Sequence, residues 1–186
     1  MYIRVLEELA TKYKDDIYNF CYHLTQNKCM ADDLFQDTFE KAIQLRHRLV
    51  CSDKEESEEA KKKMERKNRN FLMGIAANLW KNNCKVQKRR QELVPIVSYE
   101  NESCLEVRSD KLVEEEVEKN LLRKELCWNI TQLPQKQRIV LIMYYTAEMS
   151  TTEISKELHI PKGTVISRLH QAKRTLKTRL EEKGYE

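Results

Sequence analysis

Three carboxylates stand close together in the stretch ADDLFQD: Asp32, Asp33 and Asp37. Asp33 and Asp37 share one face of a helix, an arrangement that elsewhere holds Mg²⁺ or a reacting water. No partner His or Lys and no phosphate-cradling Gly loop accompanies them, so metal-dependent catalysis has little behind it. Cys21 and His23 likewise lack a second ligand pair at zinc spacing. No metal and no cofactor is expected. The other candidate chemistry is cationic. From Arg66 to Arg90 there are eight Lys or Arg and no acid, and from His159 to Leu180 there are six and no acid. Mixed with Asn, Gln, Ser and Thr, such stretches suit phosphates and base edges. The chemistry on offer is recognition of a polyanion.

The charge is also divided along the chain. Residues 1–91 carry 19 bases and 14 acids, residues 92–120 carry 3 and 9, and residues 121–186 carry 12 and 7. Two basic blocks therefore flank an acidic spacer, as expected of two modules that meet a polyanion and a linker that does not. With only 3 Gly and 3 Pro in 186 residues, tight turns are scarce. The apolar residues recur at helical spacing, and the expectation is an all-α protein of one domain or two small ones. No apolar run is long enough to span a membrane, and the charged N-terminus, with Arg4, Glu7 and Glu8, does not read as a signal peptide. The six cysteines form no CxxC pair and read as reduced thiols of a cytoplasmic protein, small buried residues in the main, with a redox role left open.

Several helices are needed to position these residues. Leu6, Leu9, Tyr13, Ile17, Phe20 and Leu24 make one apolar stripe, broken at Asn27-Lys28. A second helix is expected over 31–49, with Leu34, Thr38, Ala42 and Leu45 on one face and Asp32 and Asp33 in its opening turn, where a helix dipole favours acids. The run DKEESEEAKKKMER is a solvated helix or a loop. A third helix over 68–90 buries Phe71, Leu72, Ile75, Leu79 and Val86. Residues 92–120 read as linker. The second block starts near Leu121, Pro134 fits the first turn of a helix running to about Glu148, and Ser150 with Glu153 forms a capping box. Helices over 151–158 and from Lys162 to about Leu180 follow.

The segment STTEISKELHIPKGTVISRLHQAKRTLK is the most specific. Ile154, Leu158, Ile160, Val165 and Leu169 have the spacing of a helix-turn-helix core. The second helix then turns Lys162, Thr164, Ser167, Arg168, Gln171 and Arg174 outward. His159 falls in the turn and has to accept a left-handed backbone.

The stretch from Leu133 to Leu180, with its LP-x-x-QR start and its GTV-x-SRLH-x-A-K run, resembles the fourth region of extracytoplasmic-function (ECF) sigma factors of the sigma-seventy family. The segment from Ala31 to Leu45 resembles the second region of the same family, and so does NRNFLMGIAANLWKNNCKVQKRR. The resemblance implies two small helical domains, an N-terminal helical bundle over 1–91 and a C-terminal helix-turn-helix domain over 121–186, joined by the acidic linker 92–120. It implies a transcription initiation factor that binds bacterial core RNA polymerase and directs it to promoter DNA. Asp32, Asp33, Phe35, Gln36 and Asp37 would grip the polymerase clamp. Arg69, Asn78, Lys81, Asn82, Asn83, Lys85, Lys88 and Arg89 would hold the non-template strand of the minus-ten element. Lys162, Thr164, Ser167, Arg168, Gln171 and Arg174 would read the minus-thirty-five duplex. The linker would thread towards the RNA exit path, and an anti-sigma factor is an expected partner.

The chain departs from the family pattern at Ile166 and Gln171, where relatives have bases. It also departs at Asn68, Phe71 and Gly74, where they show Phe, Trp and a base. Trp80 serves equally as core or as a stacking platform for an unpaired base. Two rivals predict different behaviour. A stand-alone regulator binds an operator without polymerase, and a metal-dependent enzyme turns over and is stopped by EDTA.

Overall fold

The computed structural model describes residues 2–50, 57–93 and 114–184. These residues form helices in two groups, and no strand occurs among them. The protein is all-α, with two helical clusters joined by a linker.

The first group contains α1 (Tyr2–Thr25), α2 (Lys28–Gln44) and α3 (Glu58–Leu93), with a 3-10 turn at Arg46–Arg48. The α1 stripe packs as its spacing predicts. Ile17, Phe20 and Leu24 are fully buried, while the helix kinks at Tyr13, where φ is −116° and ψ is 15°. Gln26 takes a left-handed φ of 54°, and Asn27 caps α2 by accepting a hydrogen bond from the Met30 N–H at 3.0 Å. Helix α2 thus begins at Lys28, and Asp32 and Asp33 lie beyond its first turn, where a dipole effect largely fades. Ala31, Leu34, Thr38 and Ala42 form its buried face. Thr38 satisfies its hydroxyl by donating to the Leu34 carbonyl at 2.6 Å. The α2 helix ends at Gln44, short of the expected Leu49, and the 3-10 turn covers the difference.

Helix α3 absorbs much of the charged run. It is continuous from Glu58, so residues 58–66 are the helical alternative, while 51–56 lie outside the described residues. At 36 residues it is about 54 Å long. Phe71, Leu72 and Ile75 are buried as expected, but Val86 is 47% exposed, because the basic end of α3 extends past its partner helices.

The second group contains α4 (Glu114–Thr131), α5 (Gln135–Tyr145), α6 (Thr151–Leu158) and α7 (Lys162–Glu181). Helix α4 starts ahead of Leu121, and residues 94–113 of the linker lie outside the described residues. Pro134 caps α5 just before its first residue, and α5 stops at Tyr145. Ser150 and Glu153 complete the capping box: the Ser150 N–H donates to Glu153 Oε2 at 2.8 Å, and the Glu153 N–H donates to Ser150 Oγ at 3.2 Å. The helix-turn-helix closes on His159, with φ 53° and ψ 47°, and on Ser155, whose hydroxyl donates to the Ile160 carbonyl at 2.7 Å. Ile154, Val165, Ala172 and Leu176 are buried beneath α6 and α7.

Candidate nucleic-acid interface

The α7 helix buries Val165, Leu169, Ala172 and Leu176, a seam repeating every three or four residues. Its opposite side is solvated. Lys162, Ser167, Gln171 and Arg174 are exposed, and Thr164 and Arg168 are half-buried. Thr164, Ser167, Gln171 and Arg174 thus lie opposite the seam, while Arg168 flanks it and Lys162 stands at the start of the helix. Ser167 Oγ donates to the Thr164 carbonyl at 3.1 Å, and Gln171 Oε1 accepts from Gln137 Nε2 at 3.2 Å, which ties that face to α5. Arg168 lines a small cavity with Lys81 and Lys136, so three cations converge where α7 approaches α3. Such a face has donors for base edges and positive charge for phosphates.

The predicted strand-binding residues divide into two sets along α3. Asn82, Asn83, Lys85, Lys88 and Arg89 are exposed near its C-terminal end. Arg69, Asn78 and Lys81 are half-buried, and the side chains of the first two are already engaged. Arg69 pairs with Asp16 at 3.1 Å and donates to the Ala147 carbonyl at 3.0 Å. Asn78 Nδ2 donates to the Gly74 and Glu157 carbonyls at 2.9 and 3.3 Å. The Lys81 carbonyl accepts from Gln135 Nε2 at 3.2 Å. Trp80 is only 6% exposed, with the Arg138 guanidinium 5.0 Å from its ring centre. It is packed in this conformation, and its cover comes partly from the second group.

On α2, Asp32, Asp33, Gln36 and Asp37 are exposed and Phe35 is half-buried. Phe35 sits in an aromatic row, 5.9 Å from Tyr18 and 5.0 Å from Phe39 between ring centres. The outcome is an acidic ridge beside a partly open aromatic cluster, a surface suited to a basic or mixed protein partner. No group of three His, Cys, Asp or Glu able to hold a metal occurs among the described residues. Of the four described cysteines only Cys21 is buried as expected; Cys84 and Cys127 are half-buried and Cys29 is exposed. Burial pushes the Cys21 thiol up to about 12 and also raises Cys84 and Cys127, which favours their protonated form.

Comparison with known proteins agrees with this layout. The sigma-70 region 2 family model matches residues 9–55, and the sigma-70 region 4 model matches residues 130–176, in the same order as the two helix groups. The chain belongs to the sigma-70 family, as an ECF sigma factor. It is 29% identical to the ECF RNA polymerase sigma factor SigW of Bacillus subtilis over 94% of this chain and 88% of that one. It is 28% identical to SigL of Mycobacterium tuberculosis over 97% of this chain and 91% of that one. Its fold is similar to that of the sigma factor RpoE of Bartonella quintana, in complex with the anti-sigma factor NepR, with a TM-score of 0.62 and 18% identity over 96% of this chain and 93% of that one. A second fold match is CnrH in complex with the cytosolic domain of CnrY, with a TM-score of 0.56 and 17% identity over 96% of this chain and 89% of that one. The sigma factor directs RNA polymerase to promoters. It is not an enzyme, since polymerase carries out the reaction. Among the described residues, no helix is long and apolar enough to cross a membrane.

Reading the sequence missed the residues that join the two groups: Arg66, Asn70, Gly74, Arg138, Glu153 and Glu157. Three left a signal of another kind, Arg138 as the last letter of LP-x-x-QR, Gly74 as a departure from the family pattern and Glu153 as half of the capping box.

Proposed function

We propose that the two helix groups divide promoter recognition between them, with residues 1–91 and 121–186 as the working modules. The C-terminal module docks α7 in the major groove of the minus-thirty-five element, using Lys162, Thr164, Ser167, Arg168, Gln171 and Arg174. The solvated outer face of α7, opposite a fully buried seam, is the observation that carries this reading. The N-terminal module takes the non-template strand of the minus-ten element on the basic face of α3 through Arg69, Asn78, Lys81, Asn82, Asn83, Lys85, Lys88 and Arg89. A strand released from a duplex needs a charged track and a surface for its unstacked bases. The acidic ridge of α2, Asp32, Asp33, Gln36 and Asp37 with Phe35, docks on core polymerase. The protein works in the cytoplasm, where its polymerase is, and an anti-sigma factor that covers the polymerase-binding faces holds it inactive.

In vitro transcription tests the reading. Purified protein is mixed with bacterial core polymerase and fragmented DNA from the source cell, and transcript starts are mapped. New starts sharing two upstream elements at a fixed spacing are expected. Tight duplex binding without polymerase, and no new starts, would point to a stand-alone regulator instead.

A further inference from the structure

Helix α7 carries an apolar side chain that its own fold does not use. Among the described residues, Ile166 is the large apolar side chain that α7 leaves in water, 50% exposed, while Val165, Leu169, Ala172 and Leu176 turn inward to the seam. It stands about a quarter turn from that seam, on the flank away from Thr164 and Arg168. Its neighbours on this flank are basic. Lys162, His170 and Lys173 stand four before, four after and seven after it, all exposed. The Lys173 ammonium is held over two rings of α5, 5.2 Å from the centre of Tyr145 and 5.5 Å from that of Tyr144. No acid occurs from His159 to Leu180.

Gly163, three residues before Ile166, adds room. A Cβ there would meet nothing within 4 Å, so no neighbour in the chain requires a glycine. Without a side chain at that position, the first turn of α7 lets an outside surface come close to Ile166. The bases on this flank select a polyanion as that surface, and Lys162 and Lys173 suit its phosphates. The polyanion must then offer Ile166 something apolar. In the major groove the base edges carry donors and acceptors, and the exception is the C5-methyl of thymine. Ile166 has no donor or acceptor of its own. Against thymine it buries a methyl group. Against guanine it leaves N7 and O6 without a partner, and against cytosine it finds only a hydrogen where the methyl would be.

We propose that Ile166 is a specificity-determining residue, which selects a thymine in the upstream element by apolar contact with its methyl group. The proposal rests on the assignment of α7 to the minus-thirty-five duplex and deepens it.

The test uses the full chain with bacterial core polymerase on a promoter found by start mapping, its upstream element randomised. Sequencing of the transcribed templates gives the preferred base at each position. Each preferred thymine is then replaced by uracil, which keeps the base pair and lacks only the methyl. At one thymine the exchange is expected to lower transcription about fourfold in the parent, the worth of one buried methyl, and to have no effect in Ile166→Ala. Ile166→Arg is expected to move the preference at that position to guanine, whose O6 and N7 take a bidentate guanidinium; such a gain cannot come from misfolding. A parent indifferent to uracil everywhere, a uracil effect that is the same in Ile166→Ala at every position, or an Ile166→Arg variant that still prefers the thymine overturns the proposal. So does an Ile166→Ala variant that keeps the parent's preferences but loses affinity for core polymerase, since Ile166 is then a protein contact. If Arg168→Ala and Gln171→Ala change the preferred bases and the Ile166 variants do not, the inference fails alone. If the parent shows no base preference in the element, or none of these variants alters it, the assignment of α7 fails and the inference fails with it.

Discussion

His159 is the most exacting local test of how this chain positions its recognition helix. It is an L-residue at φ 53° and ψ 47°, at the corner between α6 and α7. The left-handed region costs a residue with a Cβ about 1–2 kcal/mol. His159→Gly removes that cost but gives back about 0.5–1 kcal/mol through the freer unfolded chain. The side chain contributes little else, a contact of Nδ1 with the Glu157 carbonyl at 3.2 Å on the exposed surface. The net expectation is a gain of about 0.5–1 kcal/mol, or about 1–4 °C in Tm for a chain of this size. His159→Asn should be near neutral, because Asn tolerates this region. His159→Val should lose about 1–2 kcal/mol or more, since a β-branched residue is a true outlier there. Thermal unfolding of the three variants, followed by far-ultraviolet circular dichroism, gives the order Gly above His and Asn above Val. The Gly variant should keep its promoter choice, since the turn geometry is unchanged. A Val variant as stable as the parent, or a Gly variant less stable, would refute the strained turn.

Four further outcomes follow from particular contacts. Ser150→Ala removes the acceptor of the α6 cap and should cost about 1 kcal/mol, read as faster amide exchange at Glu153. Arg168→Ala and Gln171→Ala should weaken or relax upstream-element recognition by about 1–3 kcal/mol per lost base contact, read by transcription from mutated promoters; unchanged promoter choice would sink the α7 assignment. Lys85→Ala or Lys88→Ala should weaken open-complex formation on every promoter alike and lower its salt slope by about 1; a loss confined to some promoters would contradict a phosphate role. Burial pushes the Glu157 carboxyl above its ordinary value, against the pull of Arg48, His159 and Lys156, while Glu153 adds to the rise. Lys41 lines a cavity together with Glu157. The folded chain therefore holds the Glu157 proton more tightly than the unfolded chain does. Its contribution to stability is present below the ordinary Glu range and is lost as pH rises through the raised value. Glu157→Gln should raise the Tm at neutral pH, and the difference between parent and variant should shrink on acidification. An unchanged difference would show that Glu157 does not titrate in the fold.

Much of this protein is set by its sequence alone. Helix content follows from apolar spacing and the scarcity of Gly and Pro, so the α1 stripe and the α7 seam were legible residue by residue. The α6 cap was legible because Ser150 and Glu153 interact within a single turn. So was the His159 turn, where a short connection between two amphipathic helices leaves few backbone choices. The family resemblance in LP-x-x-QR and GTV-x-SRLH-x-A-K carried the functional class. Boundaries without local punctuation were less legible. Helix α3 runs back to Glu58 because acids followed by bases at i, i+3 and i+4 support a solvated helix, as Glu58 and Lys61 do at 3.3 Å, and no residue there forbids it. Val86 has the right spacing for a core position but no helix among the described residues covers it, and period alone does not tell a buried face from an unpaired one. The seam between the modules was beyond sequence reading altogether. Arg66 and Glu153, or Trp80 and Arg138, meet across more than fifty positions, and nothing local fixes their approach. The tertiary structure decided that α6 packs on α3, because only packing in three dimensions brings the Glu157 side chain over Gly74.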